Sequence, residues 1–334
     1  MVFTPEEHYL WDFWLVSPHE WRDQHALYHL FYLQAPRSLH DPNLRHGMAT
    51  VGHAVSSDLR HWVHRGTVLK AGAPGSWDDR AIWTGSVTIR DGLAYIFYTA
   101  LSNAEQVPFQ RIGLATSANL THWQRHPNNP LLEVDTRWYE QQSAEPGGIQ
   151  TWRDPYVVYA SDEQVYYMFL SARVNTGSHD GRAVIGLARS TDLLSWELLP
   201  PVSIPGDFTE MEVPQVVPLN GRYYLLFCAS GHAASRLSRT DGRRWAGTHY
   251  LVSNRLTGPY LPLTDEPFVA DATGTYYAGK LVLDSAGTPF FMAWRQWDEA
   301  GNFCGGLSDP AAVAVLPDGR LHVHTQQLWT TEDH

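Results

Sequence analysis

One short strand-like segment recurs five times along the chain, and this repetition limits the possible folds more than any other feature. The copies are Tyr28-His29-Leu30-Phe31-Tyr32-Leu33, Ala94-Tyr95-Ile96-Phe97-Tyr98-Thr99, Tyr166-Tyr167-Met168-Phe169-Leu170-Ser171, Tyr223-Tyr224-Leu225-Leu226-Phe227-Cys228 and Pro289-Phe290-Phe291-Met292-Ala293-Trp294. Each is aromatic and aliphatic and is flanked by turn formers such as Asp91-Gly92 and Asn220-Gly221, which is strand and hairpin chemistry. Phe31, Phe97, Phe169, Phe227 and Met292 mark equivalent places in the copies, and their spacing is near-regular. A second segment follows the first three copies. Gly52 to Trp62, Gly113 to Trp123 and Gly186 to Trp196 share one and the same separation. A looser version runs from Tyr250 to Tyr260, and the fifth is degenerate.

Five strand-rich units with no amphipathic helix between them predict an all-β fold, a five-bladed β-propeller made by radial repetition. A β-sandwich would have no reason to keep a shared glycine-to-tryptophan register. The propeller is expected to occupy residues 1–334 as a single domain. Its ring is expected to close by pairing of the N-terminal strand with Ala311-Ala312-Val313-Ala314-Val315.

Acidic residues fall in register within this repeat. Asp154, in Trp152-Arg153-Asp154-Pro155, precedes its marker Phe169 by the same interval as Glu212, in Glu210-Met211-Glu212-Val213-Pro214, precedes Phe227. Equal offsets predict that both sit on the innermost strand of successive blades and face the central axis. The adjacent prolines agree, because an innermost strand is an edge strand and tolerates a missing N–H. Asp12 stands somewhat further ahead of Phe31, and a longer hairpin between Ser17 and Ala26 lets it reach the same layer.

Three carboxylates in one funnel repel one another and raise some of their pKa values, which stability alone does not favour. Glycoside cleavage does favour it, since it needs one ionised and one protonated carboxyl. Either Asp154 or Glu212 alone would read equally well as a structural residue satisfied by Arg153 and backbone N–H groups; the shared offset tips both towards function. Glu210 and Glu212, two apart on a strand, point to the same side. Trp11, Trp14, Trp83 and Trp152 lie nearby in sequence, and aromatic faces stack on the C–H side of a sugar.

Bulk properties remove other classes. A net charge of -11 argues against nucleic acid or an anionic membrane as partner. No apolar run approaches the roughly 20 residues of a membrane helix. The start, Met1-Val2-Phe3-Thr4-Pro5-Glu6-Glu7-His8, lacks signal-peptide character, so a cytoplasmic location is the expectation. Two cysteines make no disulfide framework, and Cys228 reads as a buried thiol. His46, His53, His61 and His64 lack zinc-site spacing and no phosphate-binding glycine loop occurs, so no metal or cofactor is expected. The partner is a small carbohydrate; the oligomeric state is left open.

Trp11-Asp12-Phe13-Trp14, Trp83-Thr84-Gly85-Ser86, Arg153-Asp154-Pro155 and Glu210-Met211-Glu212 occur in this order, and the set resembles the motifs of the levansucrase and invertase clan, glycoside hydrolase families 68 and 32. Val252-Ser253-Asn254, Leu256-Thr257-Gly258-Pro259-Tyr260 and Thr275-Tyr276 resemble the levansucrases in particular. The resemblance implies a retaining mechanism on β-D-fructofuranosides. Asp12 would be the nucleophile, Glu212 the acid/base, and Asp154 the residue that holds ring hydroxyls and stabilises the transition state. Trp11, Trp83, Thr84, Arg153, Glu210 and Tyr276 would line the same subsite, with Thr84 bonded to the nucleophile. Val213 stands where levansucrases usually carry Arg, a departure that weighs against polymer synthesis. The competing readings are an inverting arabinofuranosidase or xylosidase of the family 43 type and a sugar-binding propeller without catalysis. The tryptophan-threonine-glycine-serine motif and the retention of all three acids speak against them.

Overall fold

The computed structural model describes residues 2–21, 25–105, 107–141, 150–230 and 245–324. It is a five-bladed β-propeller of antiparallel meanders that follow one another in the sequence. Blade one comprises His8–Val16, Tyr28–Pro36, Thr50–Ser56 and Val63–Leu69; blade two Ala81–Arg90, Leu93–Leu101, Arg111–Ser117 and Gln124–Arg125. Blade three comprises Trp152–Ala160, Val165–Arg173, Ala183–Ser190 and Glu197–Leu199; blade four Glu212–Leu219, Arg222–Ala229, Ala246–Ser253 and Val269–Asp271. Blade five starts with Tyr276–Leu283 and Pro289–Trp297. Its third strand is split into Phe303–Leu307 and Ala311–Val315, both paired with Pro289–Trp297, before Leu321–Val323 ends the sheet. That split is why the second segment of the repeat is unrecognisable there.

The recurring aromatic segment is the second strand of each blade, and the first strands pack against one another around the axis. Inner strands of neighbouring blades share no ladder, so side chains link them. Gln215 of blade four donates to Leu281 O at 2.9 Å and accepts from Leu281 N at 2.8 Å in blade five. Asp91-Gly92 and Asn220-Gly221 turn the first hairpins of blades two and four with φ of 51° and 75°, and 48° and 76°, as a tight hairpin requires.

The constant register from glycine to tryptophan has a local cause. In blades one to three the third strand ends in Ser56, Ser117 or Ser190, and the next polar residue but one caps the turn. Asp58 Oδ1 accepts from the N–H groups of Arg60 and His61, Asn119 from Thr121 and His122, and Asp192 from Leu194 and Ser195, all within 3.1 Å. Leu59, Leu120 and Leu193 then take φ of 65°, 62° and 69° and bury their side chains, and each accepts the indole N–H of Trp62, Trp123 or Trp196 through its carbonyl. The glycine that opens the segment is required by an aromatic neighbour. A Cβ on Gly113 would stand 2.6 Å from the Trp77 ring and 2.9 Å from Tyr98.

These tryptophans lock each blade to the one before it. Trp123 meets Phe31 edge-on at 5.8 Å between ring centroids, and Trp196 meets Phe97 at 5.4 Å. Blade one has no predecessor in the chain, and Trp62 packs instead on Phe3 at 6.3 Å. Phe3 also closes the ring, pairing its N–H and C=O with Leu307 of blade five at 2.9 and 2.8 Å. The expected partner, Ala311–Val315, is occupied by its own blade. The split third strand frees Leu307 for this closure.

Trp123→Ala is therefore expected to destabilise the protein by about 2–3 kcal/mol in urea unfolding, below the roughly 3–5 of a fully buried aromatic. Trp138→Ala, at a residue 39% exposed, should change stability by less than about 0.5 kcal/mol. Equal losses in the two variants would show that the interblade contact does not carry the stability.

Candidate active site

All five inner strands carry one extra residue at the same level, close to their N-terminal ends. The ladder to the second strand slips between Trp11 and Phe13, Trp83 and Gly85, Arg153 and Tyr156, Glu212 and Gln215, and Tyr277 and Lys280. Such bulges re-aim side chains and are frequent beside active sites. In blades three to five the bulged residue has a left-handed backbone, with φ of 59° at Asp154, 53° at Val213 and 48° at Ala278. None is glycine, so each position stores strain that its surroundings must hold.

The bulges define two rings. Asp12, Thr84, Asp154, Val213 and Ala278 share one register position, and Trp11, Trp83, Arg153, Glu212 and Tyr277 precede them. Glu212 is thus the counterpart of Arg153, not of Asp154. The equal offsets of Asp154 and Glu212 come from differences that cancel. Glu212 lies one position earlier in its bulge and its true marker is Leu226, while the hairpin of blade four is shorter than that of blade three.

A cavity of about 810 Å³ opens over these rings and is lined by Trp11, Asp12, Trp83, Thr84, Arg153, Asp154, Glu210 and Glu212. Asp12 accepts on both oxygens, from Thr84 Oγ1 at 2.5 Å and from Trp294 Nε1 at 3.1 Å. Asp154 Oδ2 accepts from Ser171 Oγ and from Val213 N, each at 2.9 Å, and Asp154 N is held by Thr99 Oγ1 of blade two at 2.9 Å. One guanidinium nitrogen of Arg153 donates to Glu212 at 2.8 Å and to Glu210 at 2.9 Å, and Nε stands 3.6 Å from Asp154. Tyr277 donates its hydroxyl to the other oxygen of Glu212. Glu210 precedes the strand and is fixed further by Thr151 at 3.0 Å. Burial pushes the Asp154 carboxyl up to about 7 against the pull of Arg153, and burial likewise raises Asp12.

Tyr276 does not reach this cavity. It is 4% exposed and packs in the core with Leu281, Phe291 and Ala293. Neighbours on a strand face opposite ways, so Tyr277 takes the site and Tyr276 the core. The sequence held the clue, because Tyr277 precedes Met292 by the same interval that separates Asp154 from Phe169. Trp14 and Trp152 are also buried away from the cavity, and Trp11, though lining it, is 2% exposed. The indole faces at its mouth are Trp83, tied through Nε1 to His46 O at 2.7 Å, and Trp297, tied to Thr273 O at 3.0 Å. Trp294 and Trp297 lie on the second strand of blade five and Arg45 on the 3-10 helix Pro42–Met48, places that inner-strand offsets do not reach.

The model of the glycosyl hydrolases family 32 N-terminal domain matches residues 11–306. The chain belongs to glycoside hydrolase family 32. A β-fructofuranosidase, insoluble isoenzyme, of Arabidopsis thaliana is 26% identical over 292 residues, covering 81% of this chain and 47% of the relative. A 6(G)-fructosyltransferase of Asparagus officinalis is 29% identical over 184 residues, covering 52% and 27%. The chain spans about half the length, or less, of these curated relatives. In fold it is similar to an inulosucrase from Halalkalicoccus jeotgali bound to kestose (TM-score 0.77, 24% identity, 97% of this chain and 90% of that one). It is also similar to Bacillus subtilis levansucrase (TM-score 0.73, 17% identity, 96% and 87%).

The raised Asp154 carboxyl has a stability consequence in this family 32 chain. The folded state keeps its proton to higher pH than the unfolded one, so ionising Asp154 lowers stability as pH rises from about 4 through about 7. Asp154→Asn removes that loss. It is expected to gain on wild type by up to about 4 kcal/mol at pH 8 relative to pH 4 in chemical denaturation, about three pK units at roughly 1.36 kcal/mol each. A difference independent of pH would show that Asp154 ionises without strain.

Proposed function

We propose that this protein is a retaining β-D-fructofuranosidase acting on sucrose or fructo-oligosaccharides through a covalent fructosyl-enzyme. The carrying observation is the division of labour among the carboxyls. Asp12 is held at both oxygens by neutral donors, which fix its geometry without neutralising its charge. Glu212 is held on one oxygen by the Arg153 guanidinium and on the other by the Tyr277 hydroxyl, over the same cavity as Asp12, where it can face the leaving oxygen. The names of relatives, β-fructofuranosidase and fructosyltransferase, support the same substrate class.

In the first step an Asp12 oxygen attacks the anomeric C2 of the fructosyl unit. The C2–O bond to the leaving sugar breaks as Glu212 delivers its proton to that oxygen. In the second step Glu212 takes a proton from water, the hydroxide oxygen bonds to C2, and the bond to Asp12 breaks, returning both carboxyls to their starting states. Asp154 accepts from hydroxyls of the furanose ring, contacts that strengthen as the oxocarbenium-like charge develops. Thr84 and Trp294 keep the Asp12 carboxyl aimed while it is both nucleophile and leaving group.

Asp12→Asn and Glu212→Gln should each lower kcat on sucrose by at least about 1,000-fold with folding unchanged by circular dichroism. Near-wild-type turnover in a clean Asp12→Asn preparation would remove Asp12 from the nucleophile role.

Water and small sugars are the expected acceptors. Transfer in preference to hydrolysis requires an ordered acceptor, because positioning supplies much of the advantage over bulk water. Val213 places an isopropyl group where Arg would offer forked hydrogen bonds. Its side chain lines the cavity next to Glu212 and offers a sugar no hydrogen bond there. Trp83 and Trp297 at the mouth suit short acceptors. From concentrated sucrose the products should be free fructose with short oligosaccharides; predominant high-molecular-weight fructan would overturn this reading of Val213.

A further inference from the structure

The inner strands run the same way along the axis, so their N-terminal ends line the substrate cavity and their C-terminal ends a second cavity of about 850 Å³ at the opposite face. Between the two stands Lys280, on the inner strand of blade five. It is 5% exposed and lines only the far cavity of the pair. A lysine this deep needs its protons satisfied. Lys280 Nζ donates to Val213 O at 2.8 Å and Pro214 O at 3.2 Å, and lies over the Tyr156 ring at 5.7 Å. Val213 is the strained bulge residue whose own N–H donates to Asp154. One peptide segment therefore accepts from Lys280 on one side and donates to Asp154 on the other.

We propose that Lys280 is a positioning residue for the axial carboxylates. Its ammonium fastens the blade-four bulge that presents the Val213 N–H to Asp154, and from beneath the floor it supplies positive charge that lets Asp12 and Asp154 be ionised together. The proposal rests on the catalytic reading of those two residues. Two other cations share this field, each with one aspartate. Arg153 stands 3.6 Å from Asp154 while bonded to Glu210 and Glu212, and Arg45, which packs over Phe303 at 4.3 Å and donates to Pro42 O at 3.1 Å, favours the ionised form of Asp12; Lys280 acts on both aspartates. Glu212 faces Asp12 and Asp154 as a like charge, Tyr277 and Cys228 are neutral near pH 7, and Thr84 and Trp294 offer only neutral donors. Burial lowers Lys280 to about 8, so it carries its charge at neutral pH.

Lys280→Met, Lys280→Gln and Lys280→Arg separate the two roles. Gln keeps an N–H donor for the carbonyls but no charge, Arg keeps both, and Met keeps neither. Sucrose hydrolysis is followed across pH for each variant, together with ¹³C titration of the aspartate carboxyls in the protein without substrate. A cation favours the ionised carboxylate, so its removal should move the acid limb of kcat/KM up by about one pH unit in both Gln and Met. kcat should fall about tenfold or more, with KM changing less than about threefold. Arg should keep the wild-type limb. An acid limb and carboxyl titrations unmoved in Gln would overturn the proposal, whatever the activity, and would leave Lys280 a structural plug. The Gln variant decides the matter if Met does not fold. Absence of sucrose hydrolysis in the wild type would count against the fructofuranosidase reading instead, while the carboxyl titration would still judge Lys280.

Discussion

The site depends on a constraint imposed by radial symmetry. The inner strand of a propeller blade has a hydrogen-bonding neighbour on one side only, so its other edge is free to depart from regular pairing. All five inner strands use that freedom at the same level by accommodating one extra residue. The bulge turns a side chain out of the sheet rhythm and into the axis. Five ordinary strands would line the axis with alternating small and large residues. Five bulged ones bring Asp12, Thr84 and Asp154 to one level and set Arg153, Glu212 and Tyr277 directly above.

Holding the bulges falls to neighbouring blades, because the ladder is broken where they occur. Thr99 of blade two receives the N–H of Asp154 in blade three, and Thr248 of blade four receives the N–H of Gly279 in blade five. Lys280 of blade five grips the carbonyls of Val213 and Pro214 in blade four. Each strained backbone is thus clamped by a hydroxyl or ammonium from the adjacent blade. Assembly of the ring therefore also assembles the site, because the clamps form only between adjacent blades.

Charge is distributed with the same economy. Four carboxyls line one cavity, and Arg153 touches both Glu210 and Glu212 while standing near Asp154. Behind it, Arg173 and Arg182 meet the buried Glu140 at 2.8 and 2.9 Å, an ion cluster that closes the wall next to Glu210. Among the described residues Asp12 has no such cation in contact. Its partners are an indole and a hydroxyl, which orient the carboxyl without neutralising it, as the proposed nucleophile role requires.

Much was legible in the sequence because it is local. Strand rhythm, hairpin turns and the serine-to-tryptophan turn are set by residues a few positions apart, and five repetitions made the propeller readable. Asp12 and Asp154 share one bulge position and Glu212 holds the position before it, so inner-strand offsets lead to all three, although the offset of Glu212 matches only because two differences cancel. Beyond that, distance along the chain defeats the reading. Whether Tyr276 or Tyr277 faces the axis depends on which side of a bulge each falls, and no local pattern marks a bulge whose left-handed residue is alanine or valine. Trp294 reaches Asp12 across 282 positions, Phe3 rather than the C-terminal strand closes the ring, and Lys280 reads as a strand lysine until Val213 is seen above it. The sequence by itself determined the blades and their number, since each blade is a nearest-neighbour structure. Only the tertiary structure decided which side chains share the axis, because five separate bulges meet there solely when the ring is closed.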